Sequence, residues 1–313
     1  MMKHIKFCIL GFAVILFACK NGNASGQQSQ SAQKDSVKAF SLPEVPQMLT
    51  TPEQRADFLV KHYWDNASFA DTSLLVKKEI AEQAWVDYCD IMNHVPLTTA
   101  QEAIKGMLKK AEQNRRMYDY FTEQADKYLY DPNSPMRNEE FYIPVLEAMT
   151  TTTLLNDTEK IRPTDRLKMA HKNRIGTKAN NFTYTLASGA IGNLYQCPTE
   201  YTLLFINNPG CHACAETIEG MKNSQVINKL ISDKRLKILG VYPDEELEEW
   251  HKHRSEFPDE WINGYDKNQT IKMKNLYDLK AIPTLYLLDK NKVVLLKDAP
   301  LQLVEQYLTG KLM

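Results

Sequence analysis

The chain has 313 residues, 43% hydrophobic and 25% charged, with 38 basic against 39 acidic side chains. A net charge of −1 leaves no electrostatic footprint for nucleic acid, and six cysteines in a chain of this length are too few for a disulfide scaffold. The length suggests two domains.

Residues 1–18 read as an export signal. Lys3 and Lys6 make a short basic region, and Phe7 to Ala18 is an apolar run of about a dozen residues, short for a bilayer span. The run stops at Leu16-Phe17-Ala18-Cys19, which resembles the bacterial lipobox. That resemblance makes Cys19 the lipidated first residue of the mature protein, although Phe17 is bulkier than the residue usual at its position. An ordinary signal peptide and an uncleaved anchor are the alternatives. Residues 19–49 follow as a tether, polar and Gly/Ser-containing over 22–35 and unable to bury surface. No acidic run follows Cys19, whereas the surface-export signal of Bacteroidota lipoproteins resembles such a run, so the expected location is the periplasm, anchored to the inner or outer membrane. Loss of residues 1–18 removes Lys3 and Lys6 and moves the net charge from −1 to −3.

From residue 50 to about 175 the pattern is helical. Thr51-Pro52-Glu53-Gln54 is a helix start, with Thr51 as N-cap, proline at the first helical position and Gln54 reaching back; Phe58, Leu59, His62 and Tyr63 define one face. A second helix is expected over 73–93, ending before Pro96. A third and longest spans 98–130, with Ile104, Met107, Leu108, Ala111, Tyr118, Phe121, Ala125 and Tyr128 as its buried stripe. Asp131 to Pro135 ends it, and helices over 139–155 and 162–172 complete an antiparallel bundle. His62, His94 and His171 are scattered without metal-ligand spacing, and the aromatic side chains read as core, with a partner-binding groove as the second reading.

After Gly176 the period changes. Phe182 to Leu186 alternates, Gly189 and Gly192 mark a turn, and an extended stretch begins at Leu194. A central strand over 201–207 precedes a helix carrying Ala215 to Met221, then a helix over 225–232, a buried strand over 236–241 and a helix over 245–254. Trp261 to Asp266 reads as a loop, 269–277 as a helix, 284–288 and 293–296 as a hairpin, and 301–308 as a closing helix. The expected fold class is α+β in two domains: an all-α helical bundle over 50–175 and an α/β domain over 179–313, its mixed sheet covered on both faces.

The chemistry lies in Asn208-Pro209-Gly210-Cys211-His212-Ala213-Cys214, between an apolar strand and a helix. A Cys-x-x-Cys at a strand-to-helix junction is a dithiol redox site. Cys211 falls where the unpaired N–H groups and positive end of the helix favour a thiolate, and Cys214, one turn on, is placed to close the disulfide.

Phe205 through Cys214, Tyr242-Pro243-Asp244-Glu245, Gly264-Tyr265-Asp266 and Ile282 through Asp289 resemble a thioredoxin-like domain of the TlpA/ResA type. The helical half resembles a domain of unassigned function that precedes such domains in Bacteroidota lipoproteins. The first resemblance implies that Cys211 is the nucleophile and Cys214 resolves the mixed disulfide. It also implies that Pro283 is a cis-proline facing the pair and that the backbone of Ile282 pairs with an extended substrate. His212 either stabilises the Cys211 thiolate on the substrate-facing side or points to solvent. Gly210 stands where the family usually carries tryptophan, His-Ala is the intervening pair, and no carboxylate occupies the preceding strand. Glu216 and Glu219 read as solvated residues of the helix start in preference to proton shuttles.

The implied function is a periplasmic thiol–disulfide oxidoreductase that exchanges disulfides with protein thiols and disulfides, supplied with electrons by a membrane donor. It needs no metal and no other cofactor, because the dithiol is the redox carrier. A copper-binding protein using both thiolates and His212 is the second reading, and a partner-binding lipoprotein with an accessory redox site the third. The peroxidase pattern P-x-x-x-[ST]-x-x-C is missing, since Asn208 stands three residues before Cys211. Cys89 and Cys197 read as structural, with a bond between them left open.

Overall fold

Thr51 and Gln54 open the first helix of the computed structural model, which describes residues 40–312. The export signal, Cys19 and the tether up to residue 39 lie outside the described residues. Residues 39–313 belong to one unit. Helix α1 (Pro52–His62) carries the full reciprocal capping box: the Thr51 side chain accepts from Gln54 N while the Gln54 side chain takes the N-cap backbone. A 3₁₀ turn (Ser73–Val76) leads into α2 (Lys78–Met92).

The stretch expected as one helix over 98–130 is two. Helix α3 (Leu97–Ala111) stops, Asn114 turns extended at φ −143°, and its side-chain oxygen accepts from Arg116 N at 2.9 Å to start α4 (Arg115–Ala125). A π turn (Asp126–Tyr130) follows. Ile104, Met107, Leu108, Ala111, Tyr118, Phe121 and Ala125 are nonetheless all buried, in a core built around Trp64, Trp85 and Tyr88. Helix α5 (Glu139–Thr151) carries Pro144 in its interior. Helix α6 (Asp157–Ala170) begins earlier than expected because Asn156 and Glu159 form a second capping box.

The other half is a seven-stranded mixed sheet of β1 (Thr183–Leu186), β2 (Ile191–Asn193), β3 (Tyr201–Ile206), β4 (Leu236–Tyr242), β5 (Ile262–Tyr265), β6 (Thr284–Leu288) and β7 (Val294–Lys297), in the order β2-β1-β5-β4-β3-β6-β7. The pairs β3–β4 and β4–β5 are parallel and the rest antiparallel. The extended stretch expected from Leu194 is a 3₁₀ turn (Leu194–Gln196).

The segment expected as a loop over 261–266 contains β5, which joins β4 to β1. Its Gly264 lets the Tyr184 ring and the Thr185 carbonyl approach to 2.9 and 3.1 Å of where a Cβ would stand. Alternation along the central strands divides two cores. Leu203, Phe205, Ile238 and Leu287 face α7 (His212–Asn223), α8 (Gln225–Ser232) and α11 (Leu301–Thr309), while Leu204, Ile206, Leu239 and Tyr286 pack with Phe182 and Tyr277. Helix α9 (Leu247–His253) ends in a 3₁₀ turn (Arg254–Glu256). The helix expected over 269–277 is the single turn α10 (Thr270–Met273), ended by left-handed Asn275 at φ +47°.

Polar contacts join the halves. Glu139 on α5 pairs with Lys280 at 3.2 Å and with Lys297, while Arg137 pairs with Asp298 at 3.1 Å. Lys297 also donates to the carbonyls of Ala170 (3.0 Å) and Lys172 (2.7 Å) at the end of α6. Residues 176–179 run along β7: Gly176 N donates to Val294 O, Val294 N to Thr177 O and Ala179 N to Lys292 O, each at 2.8 Å. Among the described residues no helix is long and apolar enough to cross a membrane.

Candidate active site

Three connections meet at the C-terminal end of β3: the loop 207–211, helix α9 after β4, and the segment 280–283 that enters β6. Strand β3 is buried at every residue, so its backbone is fixed by ladders on both sides and delivers the loop to one place. Gly210 takes φ +67°, a conformation glycine adopts without a Cβ clash, and reverses the chain into α7. Cys211 is the N-cap of α7: its Sγ accepts from Cys214 N at 3.3 Å, as a capping oxygen would.

The two thiols differ in environment. Cys211 is half-buried, and Cys214 is 2% exposed against Ile218, Phe205 and Leu285. Burial, and then the hydrogen bond with Cys211, push the Cys214 thiol up to about 12. Across from them the Ile282–Pro283 peptide bond is cis, and Cys211 Sγ donates to the Ile282 carbonyl at 3.9 Å. Thr284 Oγ1 donates to Ala281 O at 2.6 Å and ties this segment to the start of β6.

Residues 18–173 match a domain of unknown function (DUF5106), and residues 199–294 match the thioredoxin-like family. A crystal structure of a thioredoxin-like protein from Bacteroides caccae is 65% identical, with 87% of this chain and 99% of that one covered, at a TM-score of 0.86. The chain belongs to the thioredoxin-like proteins. A C-terminal domain of an uncharacterized protein from Bacteroides fragilis is 73% identical over 44% of this chain and 98% of that one, at a TM-score of 0.43. A domain of a possible thiol-disulfide isomerase from Cytophaga hutchinsonii is 25% identical over 45% and 95%, at a TM-score of 0.39. Among curated proteins nothing matches.

In this thioredoxin-like protein Cys211, Cys214, Ile282 and Pro283 come together at one surface, and His212 does not join them. The His212 side chain is 89% exposed, with Nε2 3.3 Å from Glu216 Oε1, and it makes no hydrogen bond to either sulfur. Glu216 and Glu219 are exposed as well. Cys89 and Cys197 carry no disulfide. Cys89 lies in the helical core, where burial pushes its thiol up. Cys197 lies buried before β3, its carbonyl accepting from buried Lys292 at 2.7 Å. Among the described residues no three metal-ligating side chains cluster.

The sequence reading missed His253 and gave Asn208, at the head of the motif, no role of its own. Trp250 Nε1 donates to Asn263 Oδ1 at 3.0 Å, which pins α9 to β5 and brings His253, one turn on, beside the dithiol loop. A Cβ on Gly210 would stand 3.5 Å from His253 Nε2. Nδ1 of the same ring bonds Glu256 Oε1 at 2.6 Å. The one signal in the sequence is a histidine with glutamates four residues before and three after it, Glu249 and Glu256, the spacing of helical neighbours.

Proposed function

We propose that the protein is a thiol–disulfide oxidoreductase acting on protein substrates through its Cys-His-Ala-Cys dithiol. The observation that carries this reading is the asymmetry of the pair: a half-buried cysteine capping α7 and a fully buried one a turn behind it, 3.3 Å from sulfur to amide. Cys211 attacks a substrate disulfide and releases one thiolate, forming a mixed disulfide. Cys214 then attacks Cys211 Sγ, releasing the second substrate thiol and leaving the Cys211–Cys214 disulfide. The Ile282 backbone offers the extended substrate an acceptor beside the sulfurs. A membrane electron donor returns the pair to the dithiol.

Replacing Cys214 with alanine is expected to accumulate mixed disulfides with client proteins on a non-reducing gel. Replacing Cys211 abolishes both the trapped species and reduction of a protein disulfide, and replacing Cys89 or Cys197 does neither. Trapping that survives loss of Cys211 contradicts the assignment.

The sequence at Leu16 to Cys19 supports a periplasmic lipoprotein anchored through Cys19. The native protein then partitions with membranes and carries an acyl mass. A Cys19→Ser variant exported by an ordinary signal peptide is released, and a soluble, unacylated native protein refutes the anchor.

A further inference from the structure

Cys214 must lose its proton to attack, and its surroundings oppose that loss. Burial holds the thiol well above its ordinary value, so unassisted ionisation at neutral pH is disfavoured. Cys211 and Cys214 open onto a crevice closed on its far side by Trp250, His253, Glu256 and Phe257. The free space there is that of about one water molecule. Asn208 lines the same crevice, and its side-chain oxygen is buried without a hydrogen-bond partner.

The titratable and charged groups around the crevice are few. Helix α7 brings the two cysteines, α9 brings His253 with Glu249 Oε2 3.5 Å from its Nε2, and the following turn brings Arg254 and Glu256. The loop after β3 and strand β5 contribute the neutral amides of Asn207 and Asn263, of which Asn207 is occupied by the carbonyls of Phe205 and Val241 and Asn263 by Trp250. Arg254 has no acceptor capacity. Glu256 is engaged by Nδ1 of His253. His253 Nε2, on the Gly210 side of the ring, is the nitrogen turned toward the dithiol loop.

We propose that His253, oriented by Glu256, takes the proton of Cys214 across this crevice through a single water that also donates to Asn208 Oδ1, and so sets the rate of the resolving step. This rests on the dithiol exchange proposed above. The proton passes from Cys214 Sγ to the water as the water gives one to His253 Nε2. Cys214 Sγ then bonds to Cys211 Sγ, the bond from Cys211 to the substrate sulfur breaks, and the departing thiolate is protonated from His253. Two electrons move from the dithiol to the substrate disulfide, and the imidazole ends as it began. Attack by the half-exposed Cys211 does not use this path.

The test is stopped-flow reaction of the reduced full chain with dithiobis-nitrobenzoate, which releases one coloured thiolate when Cys211 attacks and a second when Cys214 closes the ring. For His253→Gln the first phase is expected to match the wild type. The second is expected to slow by about a hundredfold or more near neutral pH, the usual range for a lost general base. The difference should vanish toward about pH 10, where hydroxide removes the proton directly. Glu256→Gln, which leaves the imidazole in place, should slow the same phase by a smaller factor. An unchanged second phase overturns the proposal, and so does slowing by one factor at every pH, the mark of a merely structural role. A wild type that gives no first phase overturns the dithiol reading itself, and this inference with it.

Discussion

Asp298, at the end of β7, is a carboxylate that folding disfavours. Burial raises it from 3.8 to about 6, against the opposing pull of Arg137 and Lys280. The folded state therefore holds this proton more tightly than the unfolded one. The stability it contributes is complete below about pH 4 and is lost as pH rises through about 6, a total of at most about 3 kcal/mol. Asp298→Asn, which tolerates the left-handed backbone at φ +47°, should match the wild type in thermal denaturation near pH 4 and exceed it increasingly up to pH 7. A variant equally stable at both pH values contradicts this. Residues of this kind were not legible in the sequence, because Asp298 owes its state to burial working against Arg137 and Lys280, none of which its neighbours in the chain announce. Cys211 and Cys214 were legible because their chemistry is local: three residues apart at a strand-to-helix junction, they meet whatever the rest of the fold does. His253 and Asn208 meet only because β4 and α9 carry the chain back across the end of β3.

At the scale of elements, start signals with proline or a polar cap next to an apolar face were readable, as at Thr51. The break between α3 and α4 was hidden because Ala111 and Tyr118 are seven residues apart, two full turns, so the buried stripe keeps its phase across Asn114. If Asn114 makes that break, Asn114→Ala removes the cap on Arg116 N and the hydrogen bond to Ala70 O. The expected cost is about 1 kcal/mol, or about 2–4 °C in Tm, and Asn114→Asp should recover most of it. No loss in calorimetry means the break is imposed by packing. Strand β5 was misread for a related reason. Asn263-Gly264 has the composition of a turn, yet both its edges are filled by β4 and β1, and the missing Cβ of Gly264 makes room for Tyr184.

At the scale of the whole molecule, the apolar cores of the helical half and the sheet are separate, and what joins them is ionic and polar. Lys280 stands at the junction, paired with Glu139 of α5 and Asp278 of its own segment, three residues before Pro283. An ion pair thus links the helical half to the segment that carries Ile282 and Pro283 to the dithiol site. Periodicity told the two halves apart, but nothing in either period indicated that Glu139 and Lys297 would meet.

The central claim, that Cys211 and Cys214 are a reversible redox pair, is tested most directly by equilibrating the full chain in thiol–disulfide buffers of graded potential and mapping each cysteine by mass. The account predicts one two-electron transition confined to the Cys211–Cys214 disulfide, at a midpoint between about −270 and −120 mV. Cys89 and Cys197 should stay reduced throughout. A pair that never oxidises across that range, or a disulfide that forms instead between any other two cysteines, contradicts it.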